Sequence, residues 1–253
     1  MSDNILRLII IAAALLYYSA FILFKFKIKR AAFLAWWFAF AANAVLLINN
    51  WVVNEYVPFV SMFQVLIFLS FCFVPIYFYL RFFCNGKWMT TYMSLPPAII
   101  MTGLCFMDIK SVWHFPPALQ SVWFVPHVLF YMIAYSMGAV ALMLSIAGLF
   151  AKDKRLYSEG VYNSVRILFP FMTCGMFFGA IWANEIWGSF WSWDAKENWS
   201  LVTWLIYMLY LHFRTNKYLK KYAFVLPFIG FIAIVITFFF VNIFSGTSVH
   251  SYS

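Results

Sequence analysis

Charged residues are scarce in this chain of 253 amino acids, and acidic residues are scarcer than basic ones. Only 10% of the residues are charged, with 8 Asp and Glu against 17 Lys and Arg. Soluble globular domains carry about 25% charged residues, so this composition excludes an ordinary soluble domain. The chain is instead 66% hydrophobic with a mean hydropathy of +0.87. Apolar runs of about 20 residues recur along its whole length, which predicts an all-α, multi-pass membrane protein.

Paired cysteines are also lacking. The 4 Cys residues form no Cys-x-x-Cys motif and lie in or beside apolar runs. This scatter indicates neither a disulfide framework nor a zinc site, and the cysteines are expected to be small packing residues. The net charge of +9 does not indicate a nucleic-acid partner, because the basic residues lie between the apolar runs, as in cytoplasmic loops.

Eight apolar segments are predicted to span the membrane as helices, since an isolated segment in lipid must satisfy its own backbone. They are 4–24, 31–53, 59–82, 90–107, 126–149, 165–186, 195–213 and 222–244. If residues 25–30 are cytoplasmic, only Arg7, Lys110 and Lys196 of the 17 basic residues lie outside. The positive-inside rule therefore predicts that both termini are extracytoplasmic. We expect one transmembrane domain over residues 1–253, in the cytoplasmic (inner) membrane.

The predicted outer connection between the sixth and seventh spans is rich in tryptophan. It contains Trp187, Trp191, Trp193 and Trp199 together with Asp194, Lys196 and Glu197. A flat aromatic surface with a few fixed charges suits a planar ligand that carries its own charges, such as a porphyrin with propionates. Tryptophan also concentrates at membrane interfaces, and Asp194 followed by Glu197 is typical of a capping box at a helix start. These residues alone leave both interpretations open.

Two histidines are predicted to lie near this outer stretch. His127 follows Pro126, which fits the first position of a helix, and so falls in the first turn of span five. The helix N-terminus disfavours the imidazolium form, and a neutral imidazole is what a metal binds. His250 lies just beyond span eight on the same side. The two can therefore meet at one site, although an interfacial histidine is also commonly a hydrogen-bonded surface residue.

The other histidines differ in position. His212 lies about 26 Å along span seven from Ala195, near the cytoplasmic face, so it cannot share an iron atom with an outer histidine. It either serves a second site or extends toward the cytoplasm beside Arg214. His114 lies within 108–125, a segment predicted to run along the membrane surface, and is treated as structural.

The Trp-rich stretch resembles a known motif. Trp187-Gly-x-x-Trp191-x-Trp193-Asp194-x-Lys196-Glu197-x-Trp199 is similar to the WWD motif of haem-handling proteins, here within about 182–200. The continuation 201–214, the segment 117–127 and the ending Val-His-Ser-Tyr are similar to the CcsA (ResC) family. That family is the integral-membrane half of the System II cytochrome c synthase.

The resemblance implies roles for individual residues. His127 and His250 match the outer axial ligands of haem b iron, and His212 matches an inner haem site. The second inner histidine belongs to a CcsB (ResB)-like partner. The residues expected to contact haem are Trp187, Trp191, Trp193, Asp194, Lys196 and Trp199. The sequence departs from the family at three places: Ala195 stands where the family usually has Pro, Gln64 where Glu is expected, and Thr247-Ser-Val249 where Gly-Leu more commonly precedes His250.

The implied function is transmembrane haem export, followed by presentation at the outer face for attachment to the CxxCH segment of apocytochrome c. The chain would act as a subunit of a thioether-forming synthase, with the CcsB-like subunit and a thiol-reducing partner. No residue is assigned as a general acid or base. An alternative is a haem transporter or chaperone that delivers haem to a separate lyase. Another is an assembly factor without haem, whose Trp-rich loop contacts a protein or glycan.

Overall fold

Eight α-helices make up most of the described chain, which comprises residues 1–109 and 115–240 of this computed structural model. They are α1 Asp3–Lys25, α2 Lys29–Asn54, α3 Met62–Phe83, α4 Thr90–Leu104, α5 Phe124–Phe150, α6 Lys154–Trp187, α7 Ala195–Thr215 and α8 Leu226–Val235. Short 3-10 turns at Gly86–Met89, Pro117–Leu119 and Lys220–Val225 precede α4, α5 and α8. The described residues contain no strand, so the all-α class is confirmed for them.

Six segments of the described chain are long and apolar enough to cross a membrane. They are Asp3–Lys25, Lys29–Asn54, Met62–Phe83, Phe124–Phe150, Lys154–Trp187 and Lys220–Phe239. The α4 helix has 15 residues, or about 22 Å at 1.5 Å per residue, against a hydrocarbon core of about 30 Å. The α7 helix has charged or polar residues in its first and last turns. Membrane character is therefore confirmed, while eight spans and extracytoplasmic termini stay predictions.

Two predicted helix starts are wrong. The α6 helix begins at Lys154 rather than at 165. Asp153 caps this start, since its Oδ1 accepts a hydrogen bond from the N–H of Leu156 at 3.1 Å. The first turns of α6 are polar, so a search for apolar runs does not detect them. The α5 helix begins at Phe124, so Pro126 is its third residue and not its first. Proline is tolerated there because the first four N–H groups of a helix lack an intrahelical acceptor.

The chain divides into two compact units, Met1–Leu119 and Gln120–Ser253. In the first unit, α1 packs against α2 and α4, and α3 packs against α2 and α4. Its buried aromatic core includes Trp36 and Tyr77, whose ring centroids are 4.8 Å apart. The prediction of a single domain over 1–253 stays a prediction.

Gln64 is fully buried in this first unit and caps α3. Its N–H donates to Oγ of Ser61 at 3.2 Å, and its Oε1 accepts from the N–H of Val60 at 2.9 Å. This capping box needs no charge on the side chain. Gln64 can therefore replace the expected Glu, because its neutral side chain caps α3.

In the second unit, α5 packs along α6, and α8 packs against α5 and α7. Glycines permit this close packing. A Cβ atom on Gly138 would lie 2.6 Å from Cδ1 of Ile234, and one on Gly230 would lie 2.7 Å from Cζ of Tyr207. Short connections join α5 to α6 and α6 to α7, so consecutive helices run antiparallel. The start of α5, the end of α6 and the start of α7 therefore meet at one end of the unit.

Candidate functional site at the α6–α7 connection

The connection between α6 and α7 places the Trp-rich stretch at the end of the unit where α5 begins. The α6 helix ends at Trp187, and Gly188 follows with φ +75°, a left-handed conformation that glycine adopts without strain. The N–H of Gly188 donates to the carbonyl of Asn184 at 3.0 Å, which closes the last turn of α6. The chain then runs through residues 189–194 before α7 starts at Ala195. The stretch therefore lies close to the start of α5, which carries His127.

His127 is the fourth residue of α5, and its half-buried imidazole faces α6. Its Nδ1 lies 2.9 Å from the carbonyl oxygen of Gly175. A carbonyl oxygen only accepts, so Nδ1 carries the proton and donates this hydrogen bond. In the neutral ring the lone pair is then on Nε2, the nitrogen that can bind a metal. Metal-binding histidines are usually oriented in this way, by a hydrogen bond from the other ring nitrogen.

Two glycines of α6 form the surface on which His127 and Tyr131 lie. A Cβ atom on Gly179 would lie 2.6 Å from Cε1 of His127, and one on Gly175 would lie 2.8 Å from Cδ2 of Tyr131. No side chain larger than hydrogen fits at either position without a shift. The sequence interpretation missed both glycines, although the spacing Gly175-x-x-x-Gly179 is a known signal for close helix packing in membranes.

A row of aromatic rings connects His127 to the Trp-rich stretch. The His127 ring lies 5.5 Å from Trp182, measured between centroids, and Trp182 lies 4.9 Å from Trp187 in an edge-to-face arrangement. Phe124 packs on the buried Trp182 from the start of α5, at 5.2 Å. Edge-to-face pairs at such separations are favourable and fix ring orientation. The structure thus brings His127, Trp182 and Trp187 together.

Trp191 and Trp193 form a second pair, with centroids 5.9 Å apart and planes at 82°. Trp193 is 67% exposed and has φ +60°. A left-handed conformation in a bulky residue is strained, and such strain concentrates at functional sites. The Nδ2 group of Asn198 donates to the carbonyl of Trp193 at 2.8 Å and holds this conformation. The indole of Trp193 is therefore presented outward by a backbone that is fixed in an unfavourable geometry.

The start of α7 is a capping box, as predicted from the spacing of Asp194 and Glu197. Oδ1 of Asp194 accepts from the N–H of Glu197 at 2.8 Å, and Oε2 of Glu197 accepts from the N–H of Asp194 at 3.3 Å. Oε2 of Glu197 also accepts from the N–H of Ser192 at 2.7 Å. Both carboxylates are thus engaged with the backbone that flanks Trp193.

The remaining predicted haem contacts lie on the first turns of α7. Lys196 is half-buried in the first turn, and the side chain of Trp199, 36% exposed, follows in the second. The helix starts at Ala195, so the absence of the expected Pro does not alter its first residue. His250 and His114 lie outside the described residues, and the predicted meeting of His127 with His250 stays a prediction.

Two side-chain contacts that the sequence interpretation missed fix the start of α5. Oγ of Ser121 donates to Oε2 of Glu185 at 2.6 Å and accepts from the N–H of Trp123 at 3.2 Å. One turn beyond His127, the hydroxyl of Tyr131 hydrogen-bonds Oγ of Ser200 on α7. These contacts tie α5 to both helices that flank the Trp-rich connection. A single serine or glutamate in a sequence gives no signal for such a pairing.

His212 lies in the last turn of α7, at the opposite end of this helix from Asp194. The helix is uninterrupted, so the distance of about 26 Å from Ala195 follows from its rise. Nδ1 of the exposed imidazole lies 2.9 Å from the carbonyl of Met208, which again leaves the lone pair of the neutral ring on Nε2. His212 lines an open, mainly apolar cavity of about 630 Å³. The other lining residues are Met208, Leu209, Phe213, Thr215, Asn216 and Leu219.

Comparisons with known proteins show which family the chain is similar to. The family model described as Cytochrome C assembly protein matches residues 5–248. A protein of Atropa belladonna named cytochrome c biogenesis protein CcsA is 32% identical over 252 residues, covering 82% of this chain and 80% of the relative. The CcsA protein of Trieres chinensis is 29% identical over 303 residues, covering 100% of this chain and 96% of the relative.

A solved structure, that of Cytochrome c Heme Lyase CcmF, is similar in fold, with a TM-score of 0.74 over 94% of this chain. Its sequence identity is 15%, and the chain spans 46% of that protein's length, so this similarity concerns the fold. The family model and the relatives confirm the resemblance to the CcsA family. The chain belongs to the CcsA family of cytochrome c assembly proteins, and its role is in cytochrome c biogenesis.

Proposed function

We propose that the chain moves haem b across the cytoplasmic (inner) membrane, presents it at the extracytoplasmic face, and takes part in its attachment to apocytochrome c. The observation that carries this proposal is the orientation of His127. Its Nδ1 proton is held by the carbonyl of Gly175, and its ring lies beside Trp182 in the row that leads to Trp187. A neutral imidazole with an oriented Nε2 is an axial ligand for haem iron.

The surrounding residues fit a porphyrin. The exposed indole of Trp193 offers a flat face, and Trp187 and Trp199 add aromatic surface on the flanking helices. Nε1 of Trp191 is buried and has no hydrogen-bond partner within residues 1–109 and 115–240, so it is a donor suited to a propionate oxygen. Lys196 at the start of α7 would supply a charge for a propionate. Asp194 would act through its cap, by fixing the backbone beside Trp193.

We propose two haem stations, one for the outer histidines and one for His212. At the outer station, His127 and His250 would bind the two axial positions of one iron. At the inner station, His212 would supply one ligand beside the apolar cavity, and a CcsB (ResB)-like subunit would supply the other. A cavity of about 630 Å³ lies within the usual range for small-molecule sites, about 300–1,000 Å³.

The attachment step needs little acid–base chemistry from this chain. Each thiol of the CxxCH segment would add across one vinyl group: the S–H bond and the vinyl π bond break, one C–S and one C–H bond form, and no group leaves. The thiols must arrive reduced, which calls for a thiol-reducing partner. The chain supplies position and shelter for chemistry that belongs to haem and cysteine. Asp194 and Glu197 are both occupied in the capping box, which argues against either as a general base.

The absorption spectrum of the chain purified with its partner subunit tests the outer station. A bis-imidazole haem spectrum is expected in the wild type and in His114→Ala, which serves as the matched histidine control. The double variant His127→Ala, His250→Ala is expected to lose the outer station's share of the haem and to keep only the haem of the inner station, at normal protein levels. Unchanged haem content in the double variant would refute the outer station.

Two further measurements test the remaining steps. In His212→Ala, loading of the outer station is expected to fall, and normal loading would exclude an obligatory inner station. Reconstitution with apocytochrome c then separates the two functions left open by the sequence. Formation of thioether bonds supports attachment by this complex, in keeping with a fold shared with a protein named as a haem lyase. Haem binding without thioether formation would identify a transporter that serves a separate lyase.

A further inference from the structure

A second cavity lies where the start of α6 meets the end of α7, and it is basic. It has a volume of about 370 Å³ and is lined by residues of α6, α7 and the 3-10 turn before α8. The lining residues are Lys154, Arg155, Ser158, Glu159, Arg214 and Lys220. Four of these six side chains are cationic and one is anionic, so the cavity carries a surplus of positive charge. None of the roles proposed above uses it.

Arg214 is the buried charged residue of this cavity, and its side chain is held in place by neighbouring residues. Its side chain is only 10% exposed, and one terminal nitrogen donates to Oε1 of Glu159. The guanidinium carbon lies 5.6 Å from the ring centroid of Tyr162. Its Nε is buried and has no hydrogen-bond partner in the described part of the chain. A buried, unpaired N–H of a charged group is costly, and a guanidinium presents its donors in a planar fork that matches phosphate or carboxylate oxygens.

The charges around Arg214 favour an anion with several acceptor oxygens. Glu159 neutralises one cation and leaves Lys154, Arg155 and Lys220 without a carboxylate among the residues that line the cavity. The first two lie in the first turn of α6, where the helix dipole also favours an anion. The cations come from three separate elements and converge on one space, which suits a phosphate group.

This cavity is distinct from the one that His212 lines. Residues 212 and 214 are about 200° apart around α7, so their side chains leave opposite sides of the helix. His212 borders the apolar cavity, whereas Arg214 pairs with α6 through Glu159. The two cavities therefore lie on different sides of α7.

We propose that the basic cavity is a phosphate-binding site, filled by the headgroup of an anionic phospholipid or by a phosphorylated solute. Its residues lie in the first turns of α6, the last turn of α7 and the 3-10 turn before α8, at the opposite end of α7 from the Trp-rich connection. On the predicted cytoplasmic side, anionic lipids concentrate and basic pockets between helices bind their headgroups. The site shares no lining residue with the cavity beside His212, and it goes beyond the proposed function.

Thermal unfolding of the full chain in nonionic detergent tests this site, with Trp fluorescence as the readout. The probes are phosphatidylglycerol, phosphatidylcholine with the same acyl chains, and inorganic phosphate. The test variant is Lys154→Gln with Lys220→Gln, which leaves the Arg214–Glu159 pair intact. The matched control is Lys217→Gln with Lys221→Gln, which removes the same charge from exposed lysines that do not line the cavity.

Phosphatidylglycerol is expected to raise the melting temperature of the wild type and the control, because a ligand that binds only the folded state stabilises it. In the test variant the half-saturating concentration is expected to rise about fivefold for each lysine removed. A shift with phosphatidylglycerol alone identifies a lipid site, and an equal shift with inorganic phosphate identifies a solute site. The proposal is overturned if phosphatidylcholine acts as well as phosphatidylglycerol, if both double variants respond alike, or if no probe shifts the transition.

Discussion

The carbonyl oxygen of Gly175 lies 2.9 Å from Nδ1 of His127, and this contact determines which ring nitrogen faces away from α6. The carbonyl is within hydrogen-bonding reach because α6 has no side chain at positions 175 and 179, where the His127 and Tyr131 rings lie. The orientation of His127, the proposed iron ligand on α5, therefore depends on the absence of side chains at Gly175 and Gly179 of α6. The same pattern recurs at His212, whose Nδ1 lies 2.9 Å from the carbonyl of Met208.

Gly179→Ala is expected to weaken haem binding at the outer station. The new methyl group would lie 2.6 Å from Cε1 of His127, so the ring must move. Changes to the groups that orient a metal ligand typically weaken metal binding by about 10–100-fold. Titration of haem into the purified chain and its partner, followed by absorption spectroscopy, measures the loss.

Gly103→Ala is the control for this substitution. Gly103 lies in α4, and a Cβ atom there would have nothing within 4 Å. Replacing an open helical glycine by alanine stabilises a helix by roughly 0.5–1 kcal/mol. The control should therefore keep wild-type haem affinity. A wild-type spectrum and affinity in Gly179→Ala would show that the glycine surface does not orient His127.

Trp193 gives a prediction that separates stability from haem binding. Its φ of +60° disfavours any residue with a Cβ atom, and glycine removes that penalty. Trp193→Gly and Trp193→Ala both remove the indole, so both should lose haem retention to the same extent. The Gly variant should melt at a higher temperature than the Ala variant, by the equivalent of about 1 kcal/mol. Equal melting temperatures would mean that the left-handed backbone at 193 carries no strain.

Asp194 can be tested as a cap and as a charge separately. Asp194→Ala removes the acceptor for the N–H of Glu197 and should lower the free energy of unfolding by about 1 kcal/mol. Serine caps almost as well as aspartate but is neutral, so Asp194→Ser should restore stability to within a few tenths of a kcal/mol. If Asp194 acts only as a cap, haem content should fall in Asp194→Ala together with stability and should remain normal in Asp194→Ser. A stable Ser variant that lacks haem would instead assign the carboxylate a direct contact with the ligand.

The positions of most helices could be predicted from the sequence because lipid leaves an apolar segment no alternative to an α-helix. The capping box at Asp194 could also be predicted, since two residues three positions apart determine it locally. The early start of α6 could not be predicted in this way, because residues 154–164 are mostly polar. These turns are stabilised by the Asp153 cap and by the ion pair of Glu159 with Arg214. The pair of Glu159 with Arg214 joins positions 55 residues apart in the chain.

In the candidate site, too, some residues could be predicted from the sequence and others could not. Its aromatic and histidine residues were found because their types and spacing are unusual. The residues that position them were missed: Gly175 and Gly179 act by lacking a side chain, and Glu185 acts through a hydroxyl of Ser121. Their roles depend on which helix faces α5, and one sequence does not specify that neighbour.

The hydroxyl pair of Tyr131 and Ser200 provides the last prediction, a double-mutant cycle across α5 and α7. Both residues are buried, so Ser200→Ala leaves a buried tyrosine hydroxyl without its hydrogen-bond partner. The cost of such a group is about 1–3 kcal/mol, whereas removing both partners is nearly neutral. Tyr131→Phe combined with Ser200→Ala should therefore be more stable than Ser200→Ala alone, as measured by denaturant titration in detergent. The phenyl ring keeps the contact with His127, whose centroid lies 5.1 Å from that of Tyr131, so the double variant should retain haem. Additive losses of stability in the two single variants would mean that the hydroxyls do not interact, and α5 would then be held against α7 by apolar packing alone.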